Sequence, residues 1–288
     1  MSKIKIDNNF PDDLEILVST FPGGLYVVNK NNHYNLVKTR AFGITYNFKK
    51  HIWVACAGSK DANTYFYEIS GKTANNVCVL ESINGNRVHQ IDYIGDLLYI
   101  TVATKPKSEV FVLDEKYKIV DKFVAGWDNA HLNSIFEFGG MINIIAHNRT
   151  AKTGRKSDLI RLDKNHNVKE IKKSIGRSCH NYYTNGKTEL WCNSHGNSII
   201  KNGKMFKEFV ITEFIRGLSV SEKYLIVGST MLNKDKGLRS DGAGKVYIYT
   251  NSGKHISTVI LKKSQIRDIR QKSHLDLTIS NSKYNKGY

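Results

Sequence analysis

The chain has 288 residues, with 43 Lys and Arg against 26 Asp and Glu, a formal net charge of +17, and it is 40% hydrophobic and 10% aromatic. That apolar fraction builds a core and excludes a wholly disordered chain. Apolar runs such as 97–103 are far too short to cross a bilayer, and MSKIKIDNNFPDD is no secretory leader. A soluble, cytoplasmic protein without a membrane partner is expected. Cys56, Cys78, Cys179 and Cys192 form no CxxC pair and fit free thiols of a reducing compartment.

In chain order, LEILVS, GLYVVN and YNLVKT come first and read as three short strands. From Arg40 the chain runs RAFGITYNFKKHIWVACA, then TYFYEI and NVCVLE, which predicts four strands. The order recurs from His89 (HQIDYIGDLLYITVA, EVFVLD, KIVDKFV), His131 (HLNSIFEFGGMINIIA, DLIRLD, NVKEIKK) and His180 (HNYYTNGKTELWCNS, SIIKN, MFKEFVI), and again from Arg216 (RGLSVSEKYLIVGST, KVYIYT, HISTVIL). Starts at 40, 89, 131, 180 and 216 bracket the length of a four-stranded propeller blade. SQIRDIRQ, after Leu261, matches the first strand that the N-terminal three lack. The fold class expected is all-β: a single six-bladed β-propeller domain whose first blade is closed by N- and C-terminal strands. The blades fall at 14–38 plus 265–272, 40–82, 89–124, 131–173, 180–211 and 216–261, and 274–288 is left as a tail that packs as a strand or stays flexible. No long stretch has helical periodicity, and a β-sandwich would not explain the recurrence.

The first strand of each blade lines the central channel, so the repeat places Arg267, Arg40, His89, His131, His180 and Arg216 in one ring. The ends of second strands add His147 and His195. Neutral imidazoles on rigid strands suit a divalent transition metal (Zn, Fe, Mn or Ni), with His89, His131 and His180 as ligands. Arg40, Arg216 and Arg267 offer forks to an anion, and His147, His195 and Tyr182 are catalytic candidates. Asn133, Asn148, Arg149 and Asn181 are candidate substrate contacts. The basic loop 147–157 (HNRTAKTGRKS) and the glycine-rich loop 230–244 overhang the same face. The function expected is a metal-dependent lyase or hydrolase acting on a small anionic substrate at the channel mouth. The alternative is a non-catalytic module for an anionic glycan, nucleotide or nucleic acid, with nucleic acid secondary because the basic residues are spread over the blades. Simple plugging of the channel, the arginines paired with Asp92 and Asp268, is the third reading.

CHNYYTNGKTELWCNSHGN, AHLNSIFEFGG and FIRGLSVSEKYLIVGST resemble blade motifs of an uncharacterised bacterial propeller family with a His-containing and an Arg-Gly-Leu inner strand. The resemblance covers roughly residues 85–230 and is strongest at His131, Asn133, His180, Arg216 and Gly217. In architecture alone the ring is similar to the propeller lyases, peptidyl-hydroxyglycine amidating lyase and streptogramin lyase. The first of these similarities implies zinc on His89, His131 and His180 and substrate polarisation by Arg40, Arg216 or Arg267.

Overall fold

A computed structural model describes residues 4–59, 61–104, 107–149, 155–233 and 241–280. It is a six-bladed β-propeller with no α-helix among those residues. Blade I orders β25 (Gln265–Gln271), β2 (Glu15–Phe21), β3 (Gly24–Asn29) and β4 (His33–Val37) from the channel outward. Blade II is β5 (Arg40–Asn47), β6 (Ile52–Gly58), β7 (Thr64–Ser70) and β8 (Thr73–Leu80). Blade III is β9 (Val88–Ile94), β10 (Leu97–Val102), β11 (Glu109–Leu113) and β12 (Ile119–Val124). Blade IV is β13 (His131–Phe138), β14 (Met141–His147), β15 (Lys156–Leu162) and β16 (Val168–Arg177). Blade V is β17 (His180–Thr184), β18 (Glu189–Asn193), β19 (Ser198–Lys201) and β20 (Lys204–Glu208). Blade VI is β21 (Glu213–Val220), β22 (Tyr224–Met231), β23 (Gly244–Thr250) and β24 (His255–Leu261), extended by a fifth strand, β1 (Ile4–Ile6).

Inner and middle strands are apolar on both faces because each blade packs between two neighbours, whereas outer strands such as β12 and β16 are mostly exposed. Aromatic wedges fill the gaps between blades: Phe136, Tyr182, Tyr183 and Trp191 belong to one such cluster. The ring closes as the repeat predicts, with Ile16 opposite Gln271 and Phe21 opposite Gln265. Boundaries differ by a few residues, as where β16 runs on to Arg177. The sixth blade begins at Glu213 rather than Arg216, and Ile4–Ile6 pairs with β24, Ile4 opposite Leu261, which covers the outer edge of that blade.

Every blade carries a register shift between its first two strands, near the end where the inner strand begins. A bulge bends its strand and re-aims side chains. In blade V it falls between His180 and Tyr182, with Asn181 at φ 50°; in blade VI it falls between Ile215 and Leu218. The second case frees Arg216 from the ladder, and Gly217, at φ 89°, supplies the left-handed residue this requires.

Part of the expected tail falls within the described residues. Residues 274–280 run across the end of the channel opposite the strand starts; 281–288 lie outside the described residues. Asp276 accepts from Ser219 Oγ (2.6 Å), the Gln271 amide (2.9 Å) and the Thr278 amide (2.9 Å). Ser280 donates to Asp92 through its amide (3.0 Å) and hydroxyl (2.5 Å), and its oxygen accepts from the Glu137 amide (2.6 Å). The segment thus joins blades VI, I, III and IV. Freely fraying residues would leave these buried polar atoms unpaired. Asp276→Ala should lower unfolding stability by about 2–4 kcal/mol, because it orphans several buried donors at once; a urea midpoint unchanged from wild type would contradict the stopper role.

Candidate active site

At the opposite, upper end the channel opens into a cavity of about 1020 Å³. Its described walls carry His89, His131, His147, His180 and His195 together with Arg87, Arg155, Arg216 and Arg267, and contain no Asp, Glu or Lys. Neutral polar groups, two phenyl rings (Phe21 and Phe214) and the aliphatic Ala103, Ala130 and Ile266 complete the lining. The three blades expected to supply histidines and two of the three expected to supply arginines therefore do meet around one space.

Blade VI lies across the channel from blade III, and Arg216 spans the gap. Its guanidinium is 3.3 Å from His89 Nδ1 and 3.5 Å from the His89 carbonyl. Arginine only donates, so His89 Nδ1 carries a lone pair and, in the neutral ring, the proton sits on Nε2. Arg216 is 4% exposed, and burial lowers its pKa to about 10, still cationic at neutral pH. Gly228 makes room for it: a Cβ there would stand 2.2 Å from the Arg216 carbonyl oxygen.

The imidazoles form a row. Ring centroids are 6.1 Å apart for His180 and His89, 4.5 Å for His89 and His131, and 4.5 Å for His131 and His147. His180 Nδ1 lies 2.8 Å from both the Ser178 carbonyl and Ser194 Oγ, and Ser194 gives its own proton to the Ile215 carbonyl. Both partners accept, so His180 holds its proton on Nδ1 and presents a lone pair at Nε2. Asn133 donates one amide nitrogen to His147 Nδ1 (2.9 Å) and to the Cys179 carbonyl (2.8 Å), which fixes the opposite tautomer on His147. His195, in the short turn Ser194–Gly196, receives Arg155 NH1 on its Nε2. Burial, followed by the fields of His131 and Arg216, holds the His89 pKa well below the usual imidazole value; burial, then Arg216 and His147, does the same for His180.

The expected metal triad is not assembled as a ligand set. Among the described residues no three His, Cys, Asp or Glu side chains are grouped to hold an ion. A guanidinium on His89 Nδ1 also opposes a dication beside that ring.

Four other expected residues stand elsewhere. Arg40 is not in the cavity wall; its guanidinium lies 4.9 Å from the Phe21 ring centre. Tyr182 points into the blade interior, its hydroxyl donating to Glu189 at 2.6 Å, so the catalytic role expected of it has no access to the cavity. Asn181 ties blades together, accepting from the Gly217 amide (2.8 Å) and donating to Asp268 (3.3 Å). Arg149 is paired with Asp158 at 2.7 Å. Asn133 and Asn148 do line the cavity. The Lys152 of the basic loop, and residues 234–240 of the glycine-rich loop, lie outside the described residues. Arg87 and Phe214 were not anticipated. Both lie just before a blade-start residue, Arg87 two positions ahead of His89 and Phe214 two ahead of Arg216, and that repeated offset was the available signal.

No protein-family model matches the chain, and no curated protein matches it in sequence. Among solved structures it is similar to a protein of unknown function from Bacteroides caccae (11% identity, 90% of this chain and 98% of that one, TM-score 0.64). It is also similar to a functionally unknown protein from Desulfotomaculum acetoxidans (13%, 84% and 94%, TM-score 0.51) and to a candidate 6-phosphogluconolactonase from Bacteroides fragilis (13%, 85% and 80%, TM-score 0.51). These neighbours establish the propeller class, some members of which are named as enzymes. The resemblance to a bacterial propeller family stands at the level of fold, without a sequence family behind it. No helix of the described residues is long and apolar enough to cross a membrane.

The neutral, buried imidazoles give a pH dependence. His89 and His180 faced by His131, His147, Arg216 and Arg267 bind protons less readily folded than unfolded, so their contribution is complete above the unfolded value of 6.5 and is lost as pH falls below it. Asp92 and Asp268, raised by burial to about 6, act oppositely: they favour the folded state increasingly as pH falls from about 6 toward 4. Between pH 7.5 and 6 the histidines dominate. Thermal melts should show stability falling over that interval by on the order of 1 kcal/mol, and His89→Gln/His180→Gln should flatten the profile; an equal slope in the double variant would contradict this.

Proposed function

We propose that the protein is an enzyme of the hydrolase or lyase type that holds a small anionic substrate in the upper cavity and moves a proton with His180. The observation that carries this reading is the composition of the wall: guanidiniums and imidazoles with no acid among the described lining residues. A carboxylate, phosphate or sulfate entering there meets donors already desolvated, of which Arg216 is the deepest. His180 has its tautomer held by Ser178 and Ser194 and keeps Nε2 as the basic nitrogen. The cationic surroundings by themselves weaken that base. Bound substrate offsets the guanidinium field, raises the proton affinity of the imidazole and so produces the base where the substrate is. Arg216 is then positioned to stabilise the negative charge left by proton removal.

A second reading keeps the divalent transition metal on His89, His131 and His180. One feature favours it: a ligand histidine usually donates its other N–H to a carbonyl, as His180 does to Ser178. His89, committed to Arg216, would have to turn.

Tested against a panel of anionic lactones, phosphate esters and uronates, the wild-type protein should turn over one class, and His180→Gln, verified as folded by its melting curve, should lower kcat by about 10²–10⁴-fold. Chelator treatment should leave activity intact. A stoichiometric metal, lost together with activity in His131→Ala, would replace acid–base chemistry by the metal reading. Binding that depends on Arg216 without turnover of any panel member would leave a binding module.

A further inference from the structure

The guanidiniums of the cavity stand at two heights. Arg216 is buried and touches His89, whereas Arg87 and Arg155 are exposed at the rim. The chain register sets the order. Arg87 ends the short turn Gly85–Arg87 just before β9 and Arg155 comes just before β15, at the upper ends of their strands, whereas Arg216 lies within β21; the exposed pair therefore stands above the buried guanidinium. Neither makes an ion pair among the described residues, and Arg155 is held against His195 of the next blade. Amides also line the wall toward this end: Asn148 follows His147 directly, and Asn129 lies two residues before His131.

One carboxylate or phosphate cannot reach both levels. Bound low, it leaves the rim arginines facing water; bound high, it leaves Arg216 buried without an anion. Resting on the reading of the cavity as a substrate site for a small anion, we propose that its ligand is a polyhydroxylated molecule with an anionic group at each end. The lower anion sits on Arg216 and Arg267, the upper one between Arg87 and Arg155, and the hydroxyls of the spacer meet Asn129 and Asn148. A molecule with a carbon chain of about six atoms fits the 1020 Å³ available. A single-stranded nucleic acid fits poorly, because it needs an open groove with stacking platforms rather than a well closed at its far end by 274–280.

Calorimetric titration of the full chain with three probes tests this: inorganic phosphate, glucose 6-phosphate with one anionic end, and 6-phosphogluconate with two. The doubly anionic probe should bind at least about tenfold more tightly than glucose 6-phosphate, the gain expected of a further charge-assisted pair. In Arg87→Gln/Arg155→Gln that ratio should fall to about one; both residues are exposed, and a melting curve verifies that the variant is folded. Equal affinities of the two sugar probes in the wild type, or a uniform loss for all three probes in the double variant, overturns the two-level assignment. Absence of binding by every probe, or binding indifferent to Arg216→Gln, overturns the anion-site reading as well, so phosphate alone tells the two failures apart.

Discussion

A strand lining the channel of a propeller needs a partner on its outer flank, and for the last inner strand that partner is almost the whole chain away. Among the described residues β25 pairs with β2, some 250 residues earlier. Ring closure at this separation carries a loop-entropy cost that no local interaction offsets. The chain meets it with three bonds between its ends rather than one. β25 joins β2, β1 covers β24, and 274–280 threads across the inner strands, with the Glu15 amide donating to Ser273 Oγ beside them. The position of each inner strand, and so the meeting of Arg216 with His89 across the channel, depends on that closure.

The same channel is electrically polarised along its axis. Its lower half holds Asp92, Asp268 and Asp276 around a single buried guanidinium, Arg270, which is 3.1 Å from Asp268 and donates to the Ile44 and Leu218 carbonyls. Its upper half has the cations and no acid among the described wall residues. The buried acids are bonded to amides, hydroxyls and Arg270, and Asp268 also acts on Arg216 from below. An anion approaching the upper mouth meets a net positive wall of low dielectric, the condition under which a cleft concentrates its ligand. Most of the net charge of +17 is dispersed as exposed lysine on outer strands and turns, where solvent and salt screen it.

Repetition made much of this legible in the sequence. Blade number, strand order, ring closure and the convergence of His89, His131, His180, Arg216 and Arg267 all follow from aligning five similar segments, because backbone pairing forces equivalent positions to equivalent places. What the repeat could not carry was departure from equivalence. Arg40 occupies a blade start but lies against Phe21, outside the cavity wall. Tyr182 is one residue past the bulge of blade V, and the extra residue turns its ring away from the channel into the contact with Trp191 and Glu189. Ile4–Ile6 and 274–280 have no counterpart in other blades, so their roles arise from tertiary pairing alone. Tautomers were likewise beyond reach, since they rest on which carbonyl or amide faces each ring nitrogen.

The bulges connect the fold to the chemistry. A regular antiparallel pair would place Arg216 in the ladder opposite Gly228 with its backbone committed. The shift between Ile215 and Leu218 instead lets the guanidinium cross to His89. Two glycines make the shift tolerable for separate reasons: Gly217 adopts a positive φ, and Gly228 admits the displaced carbonyl. Their replacement would act on Arg216 without touching it, because the arginine's reach is set by backbone geometry rather than by its own side-chain partners. The Arg-Gly-Leu sequence is in this sense the smallest unit that both bends the inner strand and delivers a cation to the row of imidazoles. The ladder also passes over Arg267 in blade I and His89 in blade III, so the same bend delivers both a cation and a neutral ring. In blades IV and V it passes over Asn133 and Asn181, while His131 and His180 stay paired opposite His147 and Cys192; there the bulge supplies the amide that orients His147 or ties Gly217 to Asp268. The residue each blade places at the defect thus decides whether that blade contributes a charge, an imidazole or an orienting amide there.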